Sequence, residues 1–360
     1  MLVIATCQEH SAAYCADEIK TACPGASLVK WLRPGTGLFT VKTAETGSGG
    51  GFGEFAVAVA ARKPVFTRHI CPADAAFSAS GAKFDGARAA DGLNALARCV
   101  AEGIARPFSV QVRMIGPAGD GAPEIFRDKY GLEQLFLSEI RAGQAAVDVS
   151  NPAQVISVTV CGDTVFAGVS DAWLNLSPWP GGMRRFARED ALISRTEFKL
   201  LEAIEVFGLD LAPAARAADF GAAPGGWSRV MAERGIRVTA IDPAELSPKL
   251  VGQPLIAHYK GLAQDFISRY LDNNKNFQLL TDDMRMDIGA SARLMAEAGA
   301  LLDENGLLIM TFKLPPKKRL AAVKRGLEIL GGVYEITHVR QLFHNRFEVT
   351  VAGRLKSFIR

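Results

Sequence analysis

The carboxyl-terminal half of this sequence predicts an α/β fold built on a mostly parallel sheet, and the first 170 residues predict two smaller α+β units ahead of it. Three observations support that division. From Ala215 onward, short apolar runs alternate with helical stretches. Before about residue 170 the pattern is mixed, with isolated strands and helices in no regular alternation. Between the two lies NLSPWPGGMRRFAREDALISR, whose Pro178, Pro180, Gly181 and Gly182 precede a basic cluster and which reads as a linker. At 360 residues and 49% hydrophobic the chain is too long for one ordinary core and has apolar side chains enough for two or three.

Taken in order, Leu2–Thr6 reads as a buried strand, Ser11–Thr21 as a helix and Leu38–Thr43 as a second strand. The glycine run over 47–55 lacks the GK[ST] ending of a phosphate-binding loop, so it reads as a flexible connection without function. A helix is expected over Asp91–Ile104, a strand over Phe108–Met114, a helix over Gly131–Ala142, and strands over Val155–Val160 and Thr164–Val169. After the linker, Thr196–Phe207 has the spacing of an amphipathic helix. Strands are expected at Arg216–Phe220, Arg237–Ile241, Gln278–Thr281, Leu307–Phe312, Tyr334–Gln341 and Phe347–Val351. In such a sheet, ligands bind at the carboxyl ends of the strands.

Composition narrows the class. No stretch of about 18 apolar residues appears, and Glu9 and His10 interrupt the opening segment too early for a signal-peptide core; a cytoplasmic protein without membrane contact is expected. Six scattered cysteines form no CxxC pair, which argues against a zinc site or a disulfide framework. A net charge of +3 does not identify a nucleic-acid binder. Its distribution is more informative: Arg184, Arg185, Arg188 and Arg195 form one basic group, and Lys313, Lys317, Lys318, Arg319, Lys324 and Arg325 another.

The segment AADFGAAPGGWSRVMAERG sets a strand, a Gly-rich turn and a helix in succession. Asp219 ends the strand; Gly221, Gly225 and Gly226 permit close approach of backbone to a ligand, Pro224 stiffens the turn, and the helix beginning near Trp227 aims free N–H groups outward. The glycine spacing is not GxGxxG, which disfavours a pyrophosphate cradle. About twenty residues on, Asp242 ends the next strand, where a carboxylate can accept from both ribose hydroxyls. The pair points to an adenosine-type cofactor. Further strand ends carry Asp282 and Asp283 in LLTDDM and Lys313 in IMTFKLPPKKR; Lys199 precedes the cofactor strand and Glu348 lies in FEVTV. For Lys313 taken alone, a solvated strand-end charge is the plainer reading.

The series SRTEFKLLEA, DFGAAPGGW, TDDM, TFKLPPKKR and HNRFEVTV resembles the FtsJ-like ribose 2′-O-methyltransferases, and among them the RlmM type, which modifies a cytidine of 23S ribosomal RNA. The likeness carries specific motifs from Arg184 to Arg354 and is architectural before that. It implies a ferredoxin-like domain over 1–64, a THUMP RNA-binding domain over 65–170, a basic linker over 171–194 and a Rossmann-like methyltransferase domain over 195–360. It also implies S-adenosyl-L-methionine as cofactor, held by Asp219, Gly221, Ala222, Pro224, Gly225, Gly226, Trp227, Asp242, Asp265 and Asp283. The family's catalytic Lys-Asp-Lys-Glu set falls on Lys199, Asp283, Lys313 and Glu348, with Asp283 preferred to Asp282 because it directly precedes Met284. Ala223 departs from the cysteine frequent in that loop, and Phe347 from a second acidic residue.

A ribose hydroxyl is a poor nucleophile at neutral pH, so a positioned base must take its proton, and Lys313 is the candidate. Partial burial and Lys199 would favour its neutral form, whereas Asp283 and Glu348 would oppose it. No metal is required, because a sulfonium already activates the methyl group. Arg184, Arg185, Arg195, Lys317, Lys318 and Arg319 are the expected RNA contacts, probed against the plainer reading of a solvated face. Trp173, Trp179 and Phe186 suit either base stacking or domain packing, and His344 and Asn345 either the substrate border or a turn. The partner expected is RNA, in the first place 23S ribosomal RNA. The alternatives are a methyltransferase of transfer RNA or another RNA, and a non-catalytic RNA-binding assembly factor.

Overall fold

The computed structural model describes residues 1–42, 51–79, 86–117, 123–141, 143–187, 192–213, 215–270 and 277–357. They form two compact units, Met1–Met183 and Arg184–Arg360. Among the described residues no helix is long and apolar enough to cross a membrane.

The first unit holds two four-stranded sheets. One comprises β1 (Leu2–Thr6), β2 (Ala26–Arg33), β3 (Thr36–Val41) and β4 (His69–Pro72), in the order β2-β3-β1-β4 with antiparallel neighbours, and carries α1 (Ala12–Ala22) and α2 (Phe52–Ala61). Val3, Ala5, Ile19, Phe39, Phe55 and Val59 close its core. The other comprises β5 (Ala75–Ser78), β6 (Phe108–Met114), β7 (Gln154–Cys161) and β8 (Thr164–Asp171), in the order β5-β8-β7-β6, with β6 and β7 parallel and helices α3 (Gly86–Ala101) and α4 (Lys129–Ser138). β7, a central strand, is buried along nearly its whole length, its polar Gln154, Ser157 and Thr159 included.

Three sequence expectations change here. Residues 47–50 of the glycine run lie outside the described residues, but Phe52–Phe55 open α2, where Phe52, Phe55, Ala56 and Val59 recur at helical spacing and are buried. Because β4 pairs with β1, the first sheet extends past residue 64 to Pro72. The stretch 171–194 is not a uniform linker: Ala172–Asn175 and Pro180–Gly182 form 3-10 turns, Leu174 joins the first core, and the Thr6 hydroxyl donates to the Gly181 carbonyl at 2.8 Å.

The second unit begins with α5 (Glu197–Val206) and continues through β9 (Arg216–Phe220), α6 (Gly226–Ala232), β10 (Arg237–Ile241), β11 (Ile256–Tyr259), α7 (Ala263–Tyr270), β12 (Phe277–Asp282), α8 (Ile288–Ala298), β13 (Leu302–Lys313), α9 (Arg319–Gly331), β14 (Tyr334–Arg340) and β15 (Glu348–Leu355). Its seven-stranded sheet has the order β11-β10-β9-β12-β13-β15-β14. The first five strands are parallel, and β15 runs antiparallel to both β13 and β14. The chain order reverses between β9 and β12, which places a crevice at the carboxyl ends of those two strands. Because β15 is antiparallel, its first residue, Glu348, lies directly opposite Lys313, the last residue of β13. A fully buried Leu, Ile or Phe contributes about 1.5–3 kcal/mol, and Leu200, Phe220, Met231, Leu308 and Phe312 supply such burial on the elements that frame the crevice.

Candidate active site

The crevice is a cavity of about 620 Å³ lined from the carboxyl ends of β9 to β13 and from α5 and β15. At one end stands the glycine turn. Gly221 has φ +72°, and a Cβ there would lie 2.4 Å from Met284 Cγ, so both backbone conformation and space demand glycine. The Gly221 and Ala222 amides donate to the Ile241 carbonyl. Asp242 ties the two loops together: one carboxylate oxygen accepts from Ala223 N at 3.0 Å and the other from Ala244 N at 2.8 Å. Asp219 is buried and accepts from the hydroxyls of Ser228 at 2.6 Å and Thr281 at 2.7 Å. Burial pushes its carboxyl up to about 6 despite those bonds.

At the other end four charged side chains meet. Lys199 Nζ donates to Asp283 Oδ1 and Oδ2 at 3.2 and 3.1 Å and lies 2.8 Å from both oxygens of Glu348. Lys313 Nζ reaches Asp283 Oδ1 at 2.5 Å, Thr311 Oγ1 at 2.8 Å and Glu348 Oε1 at 3.1 Å. Thr311 Oγ1 donates to Asp283 Oδ1 at 2.6 Å. Two ammonium groups thus face two carboxylates in a largely enclosed cluster. Burial raises the Asp283 carboxyl, but the charges of Lys313 and Lys199 outweigh it and hold it below its ordinary value. Burial likewise depresses the Lys313 amine, and the carboxylates of Asp283 and Glu348 outweigh that, leaving it above its ordinary value. Of the opposed influences expected on Lys313, the carboxylates prevail.

Asp282, next in the chain to Asp283, does not join the cluster. It is fully buried, accepts from Ser291 Oγ at 2.6 Å and Met284 N at 2.7 Å, and is pushed by burial up to about 7.

The helix that presents Lys199 is anchored from both sides. Glu197 accepts from Ile193 N and Ser194 N at 2.7 and 3.1 Å and pairs with Arg229 on α6, Oε2 to Nη2, at 2.5 Å. Trp227 Nε1 donates to the Thr196 carbonyl at 2.8 Å. One turn on from Lys199, Glu202 accepts from Phe343 N and His344 N at 2.9 and 2.8 Å, fixing the loop before β15. The Asn345 side chain closes that loop by accepting from Leu342 N and Thr350 Oγ1, each at 2.9 Å, so it serves the turn.

Of the expected cofactor residues, Asp219, Gly221, Ala222, Pro224, Trp227, Asp242 and Asp283 line the cavity. Gly225 and Gly226 shape the turn behind it: a Cβ on Gly225 would meet Leu250 and one on Gly226 would meet Ser194. Asp265 does not line the cavity; it lies exposed in the first turn of α7, and Gly261–Gln264, which lead out of β11 and into α7, occupy the wall instead. The sequence reading missed β11, a four-residue strand that is half-exposed, and so had no means of placing that segment. It also missed Thr311, Thr281, Ser228 and Arg285. Thr311 carried one usable signal, two residues before Lys313 and hence on the same face of β13.

The expected RNA contacts divide. Arg185, Arg195, Lys317 and Lys318 are exposed, and Arg188 lies outside the described residues. Arg184 pairs with Glu205 at 2.8 Å and sits 4.2 Å over the Phe186 ring. Arg319 is buried, donates to the Pro315 carbonyl and packs near Phe347, so it holds the loop after β13 together rather than facing outward. Phe186 stacks on Phe198 at 5.7 Å and lies tilted against His344 at 5.5 Å, which assigns it to packing within the second unit. His344 also contacts the Arg184 carbonyl at 2.9 Å, and burial depresses its imidazole. Trp173 is 70% exposed and Trp179 is partly buried.

Residues 192–320 match the family model described as FtsJ-like methyltransferase. The chain is 30% identical to ribosomal RNA large subunit methyltransferase M from Azoarcus sp. (strain BH72), over 98% of this chain and 96% of that one. It is 35% identical to the protein of the same name from Laribacter hongkongensis (strain HLHK9), over 49% of this chain and 51% of that one. Among solved structures, TrmN from Thermus thermophilus covers 99% of both chains at 17% identity with a TM-score of 0.38.

Proposed function

The chain belongs to the ribosomal RNA large subunit methyltransferase M family, and from that premise we propose that it methylates the ribose 2′-hydroxyl of a cytidine in 23S ribosomal RNA with S-adenosyl-L-methionine as cofactor. The enzyme is a ribosomal RNA methyltransferase. The observation that carries the site assignment is the meeting of Lys199, Asp283, Lys313 and Glu348 at one end of a cavity whose other end is the glycine turn.

The residues present suit the cofactor. A turn in which glycine is required at Gly221, a carboxylate at the tip of β10 and a cavity of about 620 Å³ match a nucleoside bearing an amino-acid chain. Asp242 would accept from ribose hydroxyls, and the 261–264 segment would border the base. When bound, S-adenosyl-L-methionine supplies a methyl group on a sulfonium sulfur, whose charge activates that methyl and disfavours a second positive charge close by.

Lys313 is the general base of this reading. The raised pKa of its amine means that it rests as an ammonium at neutral pH, so it has to lose a proton before it can accept one from the ribose hydroxyl. Asp283 and Glu348 hold both amines in place, and Lys199 neutralises the carboxylate charge that Lys313 releases as it becomes neutral. Among the basic side chains, the exposed Arg185, Arg195, Lys317 and Lys318 are assigned to the RNA phosphates, with Arg285 at the cavity rim. Arg184 and Arg319 support that surface from behind. The two sheets of the first unit are assigned as the ferredoxin-like and THUMP modules.

The test is transfer of labelled methyl from S-adenosyl-L-methionine to protein-free ribosomal and transfer RNA, followed by nucleoside analysis. Label in 2′-O-methylcytidine of the large ribosomal RNA is expected. Label on a base, or on transfer RNA alone, overturns the reading.

A further inference from the structure

We propose that Thr311 is a positioning residue for this reaction, one that aims the lone pair of Lys313 when the amine is neutral; the inference rests on the assignment of Lys313 as base. Thr311 is buried on β13, with its hydroxyl between Asp283 Oδ1 at 2.6 Å and Lys313 Nζ at 2.8 Å. An ionised carboxylate only accepts and an ammonium only donates, so the polarity is fixed: the single Thr311 proton goes to Asp283, and its oxygen accepts from Lys313.

An ammonium has three protons, and Lys313 has three acceptors in the cluster: Asp283, Thr311 and Glu348. All three protons are therefore committed. A neutral amine has two protons and one lone pair, so becoming a base requires that the third proton pass to solvent water and that one acceptor be released. Glu348 makes the longest of the three contacts, 3.1 Å, and keeps Lys199 at 2.8 Å when Lys313 lets go. Asp283 and Thr311 then hold the two remaining protons, and the lone pair takes the direction that the bond to Glu348 had occupied. In the transfer, the ribose O–H proton passes to Lys313 Nζ, the oxygen pair forms the new O–C bond, and the C–S pair returns to sulfur. Without the Thr311 hydroxyl the amine would keep a single fixed acceptor and its lone pair could turn about the Cε–Nζ bond, so that fewer encounters present the lone pair to the substrate.

The experiment compares the wild-type chain with T311V and T311S in steady-state methyl transfer to protein-free 23S ribosomal RNA, with cofactor affinity and melting temperature measured on each. T311V, which keeps the shape and removes the hydroxyl, should lower kcat by about ten- to a hundredfold while KM for RNA and Kd for the cofactor stay within about twofold. T311S should restore most of the rate. A T311V enzyme with wild-type kcat, a loss confined to KM, or a T311S enzyme as slow as T311V overturns the proposal. If T311V does not fold, T311A carries the same comparison with T311S. A wild-type enzyme that labels no ribose oxygen rejects the functional reading itself, and is told apart because it fails before any variant is compared.

Discussion

Asp282 and Asp283 are neighbours in sequence, yet they belong to two regions with opposite electrostatics. Asp282, like Asp219 at the glycine-turn end of the cavity, is surrounded by neutral donors: Ser291 and a backbone amide for one, Ser228 and Thr281 for the other. Asp283 faces two ammonium groups. Burial acts on all three. Hydroxyl donors leave its upward push largely in place, so Asp282 is pushed up to about 7 and Asp219 to about 6, whereas the lysines reverse it for Asp283. Position in the chain does not set the role of a carboxylate; the charges brought against it do.

The difference can be broken at its strongest point first. K313A removes the proposed base and should reduce methyl transfer by about 10²–10⁴-fold. Cofactor affinity, measured by calorimetry, should change little, because the glycine turn and Asp242 are untouched. A variant that retains turnover takes Lys313 out of the mechanism.

D283N comes next. It leaves two ammonium groups facing only Glu348, and breaking a buried ion pair in this way costs about 3 kcal/mol or more, readable by denaturant unfolding. It also removes the larger of the two carboxylate influences that raise the Lys313 pKa, so the rate–pH curve of whatever activity remains should shift to lower pH. In the native enzyme these groups have opposite signs of linkage. The stability contributed through Asp283 is present above the ordinary carboxylate pKa and is lost as pH falls toward its lowered folded value. That contributed through Lys313 is present below the ordinary lysine pKa and is lost as pH rises through its raised folded value.

The smallest effect is expected from D282N, which sharpens the comparison because it alters the adjacent residue. Between pH 3.8 and about 7 the folded protein keeps a proton on Asp282 that the unfolded chain has lost, so stability falls as pH rises through that window. Asparagine carries no such proton. Thermal unfolding of D282N should therefore depend less on pH across the window than that of the wild type, with D283N showing no such flattening. Equal flattening in both variants would contradict the division drawn here.

Much of this molecule was legible in its residues because the signals were local. Strands β1, β6, β9 and β10 were read with the bounds the structure gives them, since short apolar runs between turn residues leave few alternatives. The glycine turn could be read because only glycine tolerates its conformation, as at Gly221. Local patterns failed where pairing made the element. β2 is exposed over most of its length and β11 is a half-exposed strand of four residues, so neither shows a buried face, and α2 follows a glycine run that disguises its start. Residues 172–182 read as a linker because Pro and Gly also build tight turns that pack.

By itself, the sequence determined the alternation of elements in the second unit, the glycine turn and which side chains stand at strand ends, all of which follow from neighbouring residues. Only the tertiary structure decided that Asp265 lies exposed outside the cavity lining, that Arg319 is buried and that Thr311 joins the charged cluster. It alone set the balance of charge on Lys313. The physical reason is that Lys199, Asp283, Lys313 and Glu348 are distant in sequence, and the energy of a charge depends on burial and on partners that only folding brings within a few ångströms.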